Sequence, residues 1–311
     1  MLKQLPKAYR RSEPITQAQT AGLPVVALES AVITHGLPLP QNIKLARDME
    51  AEVRAHGATP ATIALLKGKI HIGLTDEQLT TLGHMEGTRK ISKRDFGIAL
   101  AGNLSGGTTV AATLFAAETA GIRVFATGGI GGVHRGAPFD VSADLPQLGQ
   151  SRVLVVCAGA KSILDLPATR EVLETQGVPV IGYQTDAFPG FFTQDSGLKV
   201  DQHVDTPAEA AHIALRSWEA GLETAVLLVV PPPAESAMPA DAMEAAIQAA
   251  VDEAEADGVH GAVATPYLLK KVSELTGGDS MRVNLDLLKN NARVAAQVAK
   301  AMHESANLGV A

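Results

Sequence analysis

Residues 153–183 constrain the fold more than any other stretch of the chain. Val153-Leu-Val-Val-Cys-Ala158 is a short apolar run without polar alternation, the pattern of a strand buried on both faces. It stops at Gly159-Ala160, where backbone can turn tightly and a ligand can approach closely. Asp165 can then cap a helix with Pro167 in its first turn, and Gly177 stops that helix. Val178-Pro-Val-Ile-Gly-Tyr183 supplies a second strand, so the whole is a β-α-β unit favouring parallel pairing and a right-handed crossover. Lys161 falls at the carboxyl end of the first strand, where open α/β sheets place their ligands. Position alone leaves two readings open: a functional amine, or a lysine that snorkels outward from a strand end.

The same alternation runs through the chain. Strands are expected at 25–29, 61–66, 69–73, 122–126 and 224–230, and helices at 41–56, 110–120, 207–220, 239–257, 266–276 and 281–305. Residues 187–206 have no clear period and read as a loop or lid. No linker or repeat divides the halves, so 23–308 is expected to be one domain, a three-layer α/β/α sandwich around a largely parallel or mixed sheet. Residues 1–22 carry Lys3, Lys7, Arg10 and Arg11 without an apolar core, which excludes a secretory signal and suggests a disordered or loosely docked arm.

Composition narrows the function. A net charge of −7 gives no general attraction to nucleic acid or anionic membrane, so an anionic substrate would need a local cluster of donors. No apolar run reaches the ~20 residues of a membrane span, and a cytoplasmic location is expected. The one cysteine, Cys157, excludes an intramolecular disulfide and reads as core.

Several stretches offer chemistry. Glu29 ends the first main strand and reads as an acid–base group or as half of a structural ion pair. Thr88 to Asp95 is the most basic segment of an acidic chain, either a solvated loop or a source of cations for an anion. Ser105-Gly-Gly-Thr-Thr109 leads into a helix at Val110, whose open N–H groups suit a phosphate, although the same residues make a good N-cap. Thr127-Gly-Gly-Ile-Gly-Gly132 looks like a dinucleotide loop but continues through Pro138 with no helical stripe, so the NAD reading is rejected. Asp140 and Asp144, with Ser142 between them, offer hard oxygen ligands for Mg²⁺ or Mn²⁺, or are turn and cap residues. Asn284, Leu288 and Asn291 share one helical face, which suggests that the last helix lines a polar cavity.

These motifs together resemble the pseudouridine-5′-phosphate glycosidase family, which includes the indigoidine synthase A-like proteins. The likeness rests on Val26-Ala-Leu-Glu-Ser30, His35-Gly36, Pro40-Gln-Asn42, Phe125 to Gly136, Ser142-Ala-Asp-Leu145, Cys157 to Asp165 and Leu275 to Ser280. It implies a catalytic domain of α/β/α architecture, generally a homotrimer, with one Mn²⁺ per subunit. The implied reaction is reversible lyase or glycosidase cleavage of pseudouridine 5′-phosphate to uracil and ribose 5-phosphate. By motif, Lys161 matches the nucleophile, Glu29 the proton donor and Asp140 the metal ligand. Lys90, Val110 and the segment Ser142, Ala143 and Asp144 match substrate contacts, and Asn284 falls at an active-site asparagine. The phosphate would then sit on the Thr109-Val110 helix start beside Lys90.

The base of such a substrate is held by a C–C bond, so protonating a leaving oxygen or nitrogen, as ordinary glycosidases do, is not open to it. A lysine that forms an imine with the opened sugar answers that difficulty. Two rivals use the same residues: a class I aldolase acting on another sugar phosphate, and a non-catalytic sugar-phosphate-binding regulator.

Overall fold

The structure is a computed structural model and describes residues 4–259 and 264–307. In chain order its strands are β1 (Tyr9–Arg11), β2 (Val25–Leu28), β3 (Thr59–Leu66), β4 (Lys69–Ile72), β5 (Arg89–Ile91), β6 (Gly106–Thr108) and β7 (Val124–Ala126). There follow β8 (Val133–His134), β9 (Ala137–Val141), β10 (Leu154–Cys157), β11 (Leu164–Asp165), β12 (Val180–Tyr183), β13 (Gln202–Val204) and β14 (Val226–Val229). The helices are α1 (Glu13–Thr20), α2 (Gln41–Ala55), α3 (Asp76–His84), α4 (Phe96–Ala101), α5 (Val110–Thr119) and α6 (Asp144–Leu148). They continue with α7 (Leu166–Thr175), α8 (Pro207–Glu219), α9 (Ala240–Ala256), α10 (Ala264–Leu275) and α11 (Asp279–Asn307).

One sheet runs in the order β1-β4-β3-β2-β7-β10-β14-β12-β13, with β6 on β3 and β5 on β6. Pairing is parallel from β3 through β13, while β4 and β6 run antiparallel to β3. The central strands carry no polar face because both sides are covered: β10 and β14 are fully buried. α2, α8 and α11 pack together against the sheet, as do α5 and α6, while α1 covers β2 and β3. This is the single-domain three-layer sandwich expected. α5 is nearly all apolar, and both ends of its Val110 to Ala117 run are buried, as a helix wedged between sheet and neighbours must be.

Three expectations change. β10 and β12 do not pair with each other, because β14 arrives later in the chain and inserts between them. The N-terminal segment is not a loose arm: β1 adds to β4 in parallel and Ile15 of α1 is completely buried. Residues 187–199 are an inward-packed loop and not a free lid, closed by an Ala187–Lys199 bridge with Phe188, Phe191 and Phe192 all buried. The expected domain end at 308 and the first three residues of the arm lie outside the described residues. Among the described residues no helix is long and apolar enough to cross a membrane.

Candidate active site

Three adjacent parallel strands, β2, β7 and β10, deliver the chemistry at their carboxyl ends. Glu29 follows β2, Thr127 follows β7, and Lys161 comes four residues after β10. Thr127 Oγ1 donates to Glu29 Oε1. The glycine run after β7 leads into strand β8, with no helix for a dinucleotide. It travels beside residues 158–161 instead: Ala158 N–H donates to Gly128 O (2.8 Å), Ile130 N–H to Gly159 O (3.0 Å) and Lys161 N–H to Ile130 O (3.0 Å). That ladder continues the sheet beyond its strands and fixes the backbone from which Lys161 projects. Gly159 has φ +85°, and a Cβ there would lie 2.7 Å from Pro189 O. Only glycine meets both conditions without strain.

The strand ends open into a cavity of about 480 Å³. Glu29, Lys90, Thr109, Val110, Asp140 and Lys161 all line it. So do Ser142, Ala143, Asp144 and Asn284, so the residues that the family resemblance assigns to the site converge on one space. The basic segment divides by role. Arg89 is tied to Asp95 (2.7 Å) and Lys93 lies over the Phe115 ring, while Lys90 and Arg94 line the cavity without a described carboxylate partner. The Lys161 amine likewise has no ion pair or hydrogen bond among the described residues.

Electrostatics separates the groups. Glu29 is half-buried by surface, keeping one face on the cavity, but lies deep; burial lifts its carboxyl above the usual range, opposed by Lys161 and the Thr127 hydrogen bond. Burial and then the positive charge of Lys161 lower the Lys90 ammonium from its ordinary value. His35, on a π-helical turn spanning Val32–Gly36, is held below its ordinary value by burial and Lys90. Its Nδ1 lies 2.7 Å from Thr34 Oγ1.

The anion site at α5 is narrower than the sequence suggests. Thr109 Oγ1 accepts from Ala112 N–H, and Asp144 Oδ1 accepts from Ala111 N–H at 2.8 Å. Val110 N–H is the first-turn donor left without a described acceptor. Asp144 Oδ2 accepts from Gly131 N–H, also at 2.8 Å, so both of its oxygens are taken by backbone. Its cavity-lining carboxylate ties the glycine loop to the start of α5. Asn291 does similar work on the other side: buried in α11, its Nδ2 donates to Thr127 O at 2.9 Å. Asn284, two turns earlier on α11, faces the cavity.

Among the described residues no three His, Cys, Asp or Glu side chains converge as a metal cage. Asp140 is exposed on β9, lines the cavity, and has no described partner. One free carboxylate fits a hard divalent cation that keeps most of its water, and does not fit a tightly caged metal. Sequence reasoning gave no site role to His35, Arg94, His134, Phe191, Thr265 or Pro266, and all line the cavity. Arg94 carried a signal, since it stands in the basic run already noticed. Phe191 carried none: it sits in an aperiodic loop with φ +67°, and its ring packs where Gly129 leaves room.

A family model, "Indigoidine synthase A like protein", matches residues 14–301. The chain belongs to that family. Among curated relatives, a pseudouridine-5′-phosphate glycosidase of Herpetosiphon aurantiacus is 54% identical, covering 94% of this chain and 97% of its own. One from Caldanaerobacter subterraneus subsp. tengcongensis is 52% identical over 93% and 94%. Among solved structures, a prealnumycin C-glycosynthase in complex with ribulose 5-phosphate superposes with a TM-score of 0.90 at 39% identity, covering 97% and 99% of the two chains. An indigoidine synthase A-like protein of Thermotoga maritima gives 0.87 at 37% identity, over 95% and 96%.

Proposed function

We propose that this chain is an enzyme that reversibly cleaves the C–C glycosidic bond of pseudouridine 5′-phosphate, giving uracil and ribose 5-phosphate through an imine on Lys161. The observation that carries the reading is an unpaired lysine amine beside a buried carboxyl of raised pKa, in a cavity also lined by Lys90 and Arg94. An amine without a counter-ion is available to a sugar carbon, and a carboxyl that burial shifts toward its protonated form suits a proton donor to a sugar oxygen. The names of the curated relatives and the pentulose phosphate in the C-glycosynthase complex point the same way.

The steps follow from those groups. The neutral Lys161 amine bonds to C1′ as the bond from C1′ to the ring oxygen breaks, and Glu29 gives that oxygen its proton. The new ammonium gives up one proton, and the freed nitrogen lone pair forms the C1′–N double bond as the C1′–C5 bond breaks, that proton being delivered to C5 of the departing uracil. Water adds to the imine and releases ribose 5-phosphate and the free amine. Lys90, Val110 N–H and Arg94 bind the phosphate by charge and hydrogen bonding. Asp144 holds the glycine loop against α5, and Asn284 faces the base. Asp140 would hold a hydrated Mn²⁺, whose chemistry when bound is to orient water and phosphate. Assembly as a homotrimer belongs to the same proposal and is read by light scattering.

Borohydride in the presence of ribose 5-phosphate should add a pentose phosphate to Lys161, and Lys161→Ala should not be labelled. Equal labelling of both removes Lys161 as nucleophile. Uracil and ribose 5-phosphate should be converted to pseudouridine 5′-phosphate, faster with Mn²⁺ than without; no conversion under either condition overturns the function.

A further inference from the structure

A second cavity, about 550 Å³, lies against the first, and the two share His35, Gly36, Pro266, Leu269 and Asn284 in their walls. Their chemistry differs. The first carries Lys90, Arg94 and Lys161 together with Glu29, Asp140 and Asp144. In the second, Lys270 and Glu274 are the charged residues among the described ones, an exposed pair one helical turn apart on α10 with Nζ 3.9 Å from Oε1, beside the shared His35. The remainder of its wall is apolar or neutral, including Leu37, Phe192 and Met281 with Thr34, Ser273 and Ser280. Phe191 faces the first cavity and Phe192 the second, and their rings meet edge to face at 4.7 Å. The partition is therefore made of an aromatic pair, a shared asparagine amide and a histidine that burial keeps toward its neutral form.

We infer that the second cavity is the exchange chamber for the free pyrimidine base. This rests on the proposed reaction, in which the two products separate at different times. The phosphorylated sugar stays bonded to Lys161 after the base has been cut away, and it fills the cation-lined cavity. An uncharged planar base leaving at that stage, or arriving in the reverse direction, needs a way past the shared wall that does not cross the phosphate. The second cavity offers neutral hydrogen-bonding and apolar surface on the far side of Asn284, and it repels no neutral ring. Among the described residues the one lysine in this wall, Lys270, is exposed and lies 3.9 Å from the Glu274 carboxylate, so the chamber lacks the group of cations that lines the first cavity.

The test fills the chamber without touching the first cavity. Ser273 and Met281 line only the second. Ser273→Trp and Met281→Trp are expected to raise the KM for uracil tenfold or more in the synthetic direction. The KM for ribose 5-phosphate and the borohydride trapping of ribose 5-phosphate on Lys161 should both stay within twofold of wild type. An unchanged uracil KM, or an equal rise in both KM values, overturns the inference. If a tryptophan variant does not fold, Ser273→Leu and Met281→Phe carry the same comparison, with a threefold uracil-selective rise as the criterion. Should the wild-type protein fail to couple uracil to ribose 5-phosphate at all, the proposed function falls and the chamber with it. An active wild type with indifferent variants removes the chamber alone.

Discussion

Asp144 separates a structural account of this site from a purely ligand-binding one. Its carboxylate is 6% exposed and accepts N–H groups from Ala111 at the start of α5 and from Gly131 in the glycine loop. Hydrogen bonds to a charged acceptor contribute about 1.5–3 kcal/mol each, and a buried donor left without an acceptor costs about 1–3 kcal/mol. Asp144→Ala orphans both donors, so the loss should be about 3–6 kcal/mol, toward the lower end if cavity water reaches the vacated space. Asp144→Asn keeps one acceptor and turns an NH₂ toward the other N–H, for a loss of about 2–3 kcal/mol. At about 2–4 °C per kcal/mol for a domain near this size, Asp144→Ala should lower Tm by roughly 6–12 °C or more. Thermal unfolding followed by circular dichroism reads the shift. Amide hydrogen exchange at Ala111 and Gly131 localises it, with both amides exchanging faster than neighbouring amides in α5. A Tm within about 1 °C of wild type, combined with lost substrate affinity, would refute the clamp and return Asp144 to ligand contact alone.

Other outcomes follow from single contacts. Burial raises the Glu29 pKa above its ordinary 4.5, so the folded state holds this proton more tightly than the unfolded one. Its contribution to stability therefore falls as pH rises from 4.5 through the folded value; the Tm advantage of Glu29→Gln over wild type should grow across that window, and a difference flat with pH would contradict the sign. Asn291→Ala leaves the Thr127 carbonyl without its amide donor and should cost about 1–3 kcal/mol in urea unfolding, with turnover falling further because Thr127 also holds Glu29. Gly159→Ala at φ +85° should cost at least about 1–2 kcal/mol and should slow borohydride trapping at Lys161; wild-type trapping would show that the turn is not what aims the amine. Asp140→Ala should abolish the change in the Mn²⁺ paramagnetic resonance signal on adding protein, while Asp144→Asn, refolded and soluble, should retain it.

Local features were legible because they depend on neighbours in the chain. Thr75 closes a capping box with Gln78, Asp165 caps α7 through Ala168 N–H, and glycines with positive φ at 57, 121 and 177 follow α2, α5 and α7. Strand order was not legible. The unbroken apolar runs of β10, β12 and β14 pack equally well in several orders, and pairing is decided by crossovers of many residues. The arm misled for a related reason: Tyr9–Arg11 is polar and short, as an edge strand is, and Ile15 shows its burial only after α1 docks. At the site, motif residues were found while their satisfaction was not. Nothing in Ser142-Ala-Asp144 announces that the aspartate will be met by amides 13 and 33 residues away.

The site contains three carboxyl groups, and their surroundings give them three jobs. Glu29 is deep, with one hydrogen bond from Thr127 and a nearby lysine, and burial shifts its carboxyl toward the protonated form that the proposed donor role needs. Asp144 is equally enclosed but met by two backbone amides, which engage both oxygens and convert charge into rigidity. Asp140 is exposed and lines the cavity with no partner among the described residues, the condition for holding a hydrated cation or a water. Exchanging residue types among these positions would not exchange the roles, because the difference lies in the donors each backbone brings to its carboxylate. The same reasoning explains why a lysine can serve beside them. Lys161 lines the same cavity as these carboxyl groups, and among the described residues no salt-bridge partner or hydrogen bond holds its amine, which is the condition the proposed imine requires.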